Sequence, residues 1–381
     1  MTEPSGDVRG RSASLRGRRI AVYVARDPMA WLPGDADGNG LPGGAEVAAV
    51  EVASGLAALG ASVVVYGNVR RAATRAGVRY LERGAFDPRD PVDALLASRA
   101  PELFDERPSA STTLLWVHSP DAGPALTPAR ARNVDRLLAL SGWHERNLRL
   151  RHPFAAERVV RIRNGVDATQ FAARPPRTAS VVCAIQPERG LDVVLELWPE
   201  IRARVPHAEL ACCHAPVYDF IARSNPSVQQ HRERIADLLR QPGVRMLGAL
   251  SRPALADLFV RSRVWVHPSW STPAGRHFEE ISCIGAMEAQ AAGLWTVASA
   301  WAALRETVRV GALVEPEGAP GAPWRDALVE EVVRGLTDRA TQRLAEREGP
   351  IAASRMGWDG VSGALASLIQ RDAATVPATA G

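Results

Sequence analysis

The chain has 381 residues, 46% hydrophobic and 23% charged, with a net charge of +4, which suits two globular domains and gives no argument for a nucleic-acid partner. All 46 basic residues are arginine, so a Walker phosphate loop and lysine Schiff-base chemistry are excluded. No apolar run reaches the roughly 18 residues that span a bilayer. Residues 1–18 are polar and arginine-rich, lack the apolar core of a signal peptide, and read as a disordered tail. Short apolar runs then alternate with helix-length segments, the pattern of parallel sheets covered by helices. Strands are predicted at 19–24, 61–66, 113–118, 136–140 and 159–162, with a helix over 45–59 closed by Gly60. A second series lies at 180–184, 209–213, 244–247, 264–267, 296–298 and 312–314. The proline-containing stretch from Phe171 to Arg177 is a natural linker, dividing the chain into a domain at 19–172 and one at 178–350. From Trp324 to about Ile369 the sequence is helical with a break near Gly349-Pro350, and the residues alone let the last piece, 351–372, pack on either domain.

Cys183, Cys212, Cys213 and Cys283 have no disulfide or metal spacing. Neighbouring Cys212 and Cys213 point to opposite faces of a strand. A reducing, cytoplasmic location is therefore expected. The run from Asp35 to Glu46 has two readings. Asp35, Asp37, Asn39, Gly40 and Glu46 match the spacing of a calcium loop, but Pro28, Pro33 and Pro42 disfavour its flanking helices and eighth position. The preferred reading is a glycine-rich loop opening a helix, with Gly43 and Gly44 letting backbone approach a diphosphate. No metal requirement is expected.

Residues 280–293, Glu-Ile-Ser-Cys-Ile-Gly-Ala-Met-Glu-Ala-Gln-Ala-Ala-Gly, carry the most chemistry. Ser282 is the predicted N-cap of a short helix that stops at Gly293. The unpaired amides of Ser282, Cys283 and Ile284 suit a phosphate. Glu280 ahead of the helix and Glu288 within it can accept hydrogen bonds from the two ends of a ligand, Glu288 from a pair of hydroxyls. A phosphate between two hydroxyl-binding acids describes a nucleotide sugar.

This segment resembles the E-x7-E signature of family 4 retaining glycosyltransferases of the GT-B fold, with Ile281-Ser282-Cys283 standing where that family commonly has Gly-Phe-Gly. Other landmarks follow in family order: Gly43-Gly44-Ala45-Glu46, Ser141-Gly142-Trp143-His144, Asn164-Gly165-Val166-Asp167, Pro187-Glu188-Arg189-Gly190-Leu191 and Leu304-Arg305-Glu306-Thr307-Val308. The resemblance implies an α/β protein with two Rossmann-like, doubly wound domains facing a central cleft, and a late helix crossing back to the first domain. It implies transfer with retention from a UDP- or GDP-linked sugar, with the donor as substrate and no cofactor. Glu288 would hold the ribose, and Glu280 and His118 would contact the donor sugar. Arg189 would neutralise the diphosphate with the helix amides. The second phosphate-binding cation of the family falls on Ala184, so either Gln186, Arg276 or another arginine substitutes or diphosphate binding is weaker than usual. Asn164 would lie beside the cleft.

The acceptor, a glycan, lipid or natural product, is contacted by first-domain loops that vary freely within one fold. Arg146, Arg149 and Arg151 with Trp143 form a basic, aromatic segment, read as a solvated face ahead of an anionic acceptor or membrane surface. The alternatives are a nucleotide-sugar epimerase or hydrolase on the same fold, and a non-catalytic binding subunit of a partner transferase.

Overall fold

The computed structural model describes residues 14–25, 30–31, 43–214, 225–269, 278–315 and 322–375. The first half builds an eight-stranded sheet from β1 (Arg19–Val24), β2 (Ser62–Gly67), β3 (Ala73–Arg75), β4 (Val78–Glu82), β5 (Val92–Ser98), β6 (Ala110–Trp116), β7 (Arg136–Ala139) and β8 (Val159–Arg161). Its order is β3-β4-β2-β1-β5-β6-β7-β8, parallel throughout except for β3. Six parallel strands make the second sheet: β9 (Ser180–Ala184), β10 (Glu209–Cys213), β11 (Val244–Gly248), β12 (Val264–His267), β13 (Trp295–Ser299) and β14 (Gly311–Val314). They run in the order β11-β10-β9-β12-β13-β14.

Both orders reverse direction at an inner strand pair, β1/β5 in the first sheet and β9/β12 in the second. Loops leaving the carboxyl ends there diverge and open a crevice, the usual place for a ligand in an open α/β sheet. The two sheets therefore form the predicted pair of doubly wound domains.

Three strands were not legible in the sequence: β3, β4 and the central β5. The β5 residues Val-Asp-Ala-Leu-Leu-Ala-Ser favour helix by propensity. They form a strand because Ala94, Leu95, Leu96 and Ala97 are buried on both faces of the sheet, where continuous apolar character replaces alternation. Leu95 and Ala97 enter one core and Ala94 and Leu96 the opposite one.

The tail and the C-terminal helices also differ from expectation. Leu15 is fully buried and its amide donates to the Leu59 carbonyl at 2.8 Å, so 14–18 belong to the first domain; residues 1–13 lie outside the described residues. Gly349-Pro350 does not break the chain, because one helix runs from Arg339 to Ser354 with Pro350 inside it. Gly349 lets that helix press against Gln290, whose carbonyl oxygen lies where a β-carbon would be. The break comes at 355–357, and a last helix, Trp358–Thr375, follows. Its Trp358, Val361, Leu365, Ala366 and Ile369 join the core of the first sheet. Arg136 binds Asp372 at 2.8 Å, and the Gln370 amide reaches the Ser14 carbonyl at 2.8 Å. Where the chain returns, the Val166 amide donates to the Met356 carbonyl at 2.9 Å, so the two crossings between domains lie side by side.

Candidate active site

Helix Ile284–Ala291 sits beside the first domain, with its Ile284 methyl 3.7 Å from where a β-carbon on Gly44 would be. Gly44 opens the helix Gly44–Ala58, so two helix N-termini from the two domains meet here. The cap of the first is Cys283, in extended backbone and without a side-chain cap bond, and not the predicted Ser282. Ser282 is drawn one residue out of place because its carbonyl accepts from Asn164 Nδ2 at 3.4 Å. The amides without a helical carbonyl are thus those of Ile284 and its successors, and Ala286 turns its N–H toward the Cys283 sulfur.

Glu280 and Glu288 are both buried, at 5% and 3% exposure, and each is met by an arginine. Glu280 takes Arg189 Nη1 at 2.9 Å, while the Arg189 guanidinium lies 4.0 Å over the Phe278 ring. Arg189 is aimed by Gly190, which has φ of +106°; a β-carbon there would strike the Pro268 carbonyl oxygen. That contact brings the loops after β9 and β12 together, and with them Arg189 and His267. His267 Nε2 stands 3.8 Å from Glu280, and Cys283 Sγ is 3.6 Å from His267 Nδ1. Burial pushes the His267 imidazole down to about 4, so the ring is neutral at physiological pH.

Glu288 faces Arg252 from the helix Arg252–Arg261, at 2.5 Å. This partner left no local mark, since Arg252 lies 36 residues away in a helix start with no motif. Burial raises the Glu288 carboxyl and Arg252 opposes the rise. Glu51, from the first-domain helix, is also raised, by burial first and then by Asp167 and Glu288. Three carboxylates, Glu51 and Asp167 from the first domain and Glu288 from the second, therefore surround one guanidinium.

Across the cleft His118 follows β6, with its Nε2 buried and unpaired. Burial, then the nearby Arg99 charge, holds it well below the usual imidazole range. Arg99 was missed with β5. It stands just past the end of that strand in left-handed backbone, φ +57°, a conformation that a non-glycine residue holds only at a cost, and it pairs with Glu46. Glu46, the last residue of the calcium-like run, is thus committed to an arginine; the rest of that loop, 32–42, and Arg276 fall outside the described residues. Gln186 directs a buried, unpaired oxygen into the space after β9, and Asn164 does the same beside Ser282. Orphaned buried polar atoms also occur on Glu188, Arg189 and Arg99. Such atoms are rare in folded proteins and mark places that a ligand or water completes. Arg146, Arg149 and Arg151 stand apart, Arg149 being tied to Glu145 and two carbonyls.

Residues 169–346 match the family profile described as glycosyl transferases group 1. The second half of the chain is a group 1 glycosyltransferase domain. That domain holds Glu280, Glu288, Arg189 and Arg252, and the first sheet supplies the other wall. Curated relatives are similar over both halves. A D-inositol 3-phosphate glycosyltransferase of Thermobispora bispora is 29% identical over 274 residues, 64% of this chain and 58% of that protein. Another from Catenulispora acidiphila is 28% identical over 258 residues, 62% of this chain and 54% of the relative. The match thus spans a little over half the length of these relatives. Among solved structures, sucrose-phosphate synthase of Thermosynechococcus elongatus superposes with a TM-score of 0.70 at 17% identity, covering 94% of this chain and all of that one. Anabaena HepE in complex with UDP and glucose gives 0.64 at 15% identity, covering 93% and 100%. These likenesses establish the GT-B fold around the group 1 domain.

Proposed function

We propose that the protein transfers a sugar with retention from a nucleoside diphosphate sugar, UDP- or GDP-linked, to a hydroxylated acceptor, without a metal cofactor. The observation that carries this reading is the pair of buried acids on the 280–288 segment, each met by an arginine, Glu280 by Arg189 and Glu288 by Arg252, with orphaned buried polar atoms on Arg189 and on Asn164 beside Ser282. A donor lying along the helix would satisfy them. Its ribose hydroxyls would bind Glu288, displacing or sharing Arg252. Arg189 and the first-turn amides would meet the diphosphate, where negative charge grows as the glycosidic bond breaks. Stabilising that leaving group is the largest rate term available to the site. Glu280 and neutral His118 would position the sugar. In this reading no described side chain acts as a nucleophile, and the departing phosphate oxygen takes the proton of the incoming hydroxyl on the same face. A UDP-sugar structure exists for the HepE neighbour, which supports testing that donor first.

A second reading, a binding subunit that assists a partner transferase, is favoured by one observation, the Arg252–Glu288 pair at the position assigned to the ribose. Thermal melts of the purified chain with UDP, GDP, ADP and TDP separate the two. A bound nucleotide at a hundredfold excess over Kd stabilises by about 2.7 kcal/mol, and Glu288→Ala should erase that gain. Turnover of a nucleotide sugar by the chain alone excludes the subunit reading; no shift with any nucleotide defeats the transferase.

A further inference from the structure

His267, Glu280 and Cys283 form a buried cluster whose ligand atoms, one from each residue, all lie within 4.8 Å of one another. The imidazole is 1% exposed, its Nε2 has no hydrogen-bond partner, and Glu280 is the nearest acid. An orphaned nitrogen facing a carboxylate, with a thiol on its other side, is an unfinished polar group in a dry place. Tetrahedral zinc binds nitrogen and oxygen at about 2.0–2.2 Å and sulfur at about 2.3 Å, which sets its ligands roughly 3.3–3.8 Å apart. The observed separations, 3.6 Å from Sγ to Nδ1 and 3.8 Å from Nε2 to Oε1, are of that size but involve different ring nitrogens, of which one ion binds only one. Closing the whole triad takes a movement of about 1 Å, within the reach of small side-chain rotations.

We propose that this cluster binds Zn2+ through an imidazole nitrogen, the Glu280 carboxylate and the Cys283 thiolate, with water as fourth ligand, and that zinc so bound switches the donor site off. The donor set selects a borderline-soft ion: thiolate and imidazole favour zinc over magnesium, calcium or manganese. On binding, the thiol proton leaves to solvent and a zinc–sulfur bond forms. Two anionic ligands then balance the dication in a site that tolerates little net charge. Glu280 gives up Arg189, which keeps its place over Phe278. No electron moves. The switch half of the proposal rests on the assignment of Glu280 to the donor sugar; the binding half does not.

The experiment titrates the chelator-stripped full-length protein with Co2+ and then Zn2+. One equivalent of cobalt should produce a thiolate-to-metal band in the near ultraviolet with the visible bands of a four-coordinate ion, and zinc should bleach both. Cys283→Ser should remove the near-ultraviolet band. His267→Asn should weaken zinc binding by more than the roughly 10–100-fold that losing a supporting residue costs. Melting curves establish that each variant is folded, and two variants on different loops guard against one misfolding. A thiolate band that persists in Cys283→Ser, or no stoichiometric cobalt spectrum in the parent, overturns the site. Zinc should also abolish sugar transfer, with recovery on adding chelator. A zinc-saturated protein that transfers at the metal-free rate overturns the switch and leaves the site. A metal spectrum in a protein that turns over no nucleotide sugar counts against the transferase reading instead.

Discussion

The two arginine–carboxylate pairs on the Glu280–Glu288 segment are built in opposite ways. Glu280, Arg189, His267 and Cys283 all come from loops and caps of the second domain, drawn together by the contact of Gly190 with Pro268. The pair at Glu288 borrows from both domains: Arg252 from the second, Asp167 from the end of the first, Glu51 from the first-domain helix. One end is a self-contained pocket and the other a joint. On the proposed reading, closure of the domains would change the environment of Glu288 while leaving Glu280 and Arg189 in register, and nucleotide grip and sugar positioning should be separable.

The sharpest break in that comparison is Glu280→Gln. It should lower transfer by about 10³-fold, near 4 kcal/mol in the barrier, while the nucleotide still raises the melting temperature; equal loss of both would show that the two ends act as one. Next comes Arg252→Ala, which strands buried Glu288. Denaturant titration should find a loss of about 2–3 kcal/mol, less than the ~3–5 of a fully buried pair because Arg252 is part-exposed. Arg189→Ala should cost catalysis far more than stability, with turnover down about a hundredfold or more.

The ends should also answer pH with opposite signs. His267, at the Glu280 end, is held at about 4 by burial, as is His144 of the first domain, where His118 also lies well below its usual range. Their depressed values give stability that is whole above pH 6.5 and lost as pH falls toward 4. Glu51 and Glu288 are raised by burial, so their contribution is whole below about 4.5 and lost as pH rises through the raised values. Glu51→Gln should accordingly raise the melting temperature at pH 8 and leave it unchanged at pH 4. A calorimetric series showing the same change at both would remove the joint from the comparison. The smallest effect is expected from Glu306→Gln. Its carboxylate crosses between domains to accept the amides of Gly142 at 2.7 Å and Trp143 at 2.6 Å, capping the helix Gly142–Arg151. Losing that charge should cost about 1 kcal/mol, with a looser cleft seen as a higher KM.

What could be read in advance follows the same division. Both acids and Arg189 were legible because they lie within short stretches whose spacing already encodes a helix start and a turn. The strands of the second sheet were legible as short apolar runs between helix-length segments, although β11 and β14 are only partly buried. Arg252, Glu51, Arg99 and His267 were not. Each reaches the site only through sheet order or a helix crossing, which no local pattern records. Arg99 was lost together with β5, whose leucines and alanines look helical until both faces are seen to be covered. Cys283 was noticed for its backbone, and the neighbour that gives its sulfur a role is sixteen residues upstream on another loop.

The helix Trp358–Thr375 completes the core of a sheet whose strands were all made before residue 162. During synthesis the first domain must therefore wait, its Val52, Leu56 and Trp116 face uncovered, while more than half of the polypeptide is still to be made. A ribosome releasing the second domain intact but stopping at Ser354 would leave the earlier one exposed. A fragment ending at residue 172 should accordingly be sticky where one that runs through residue 375 is not.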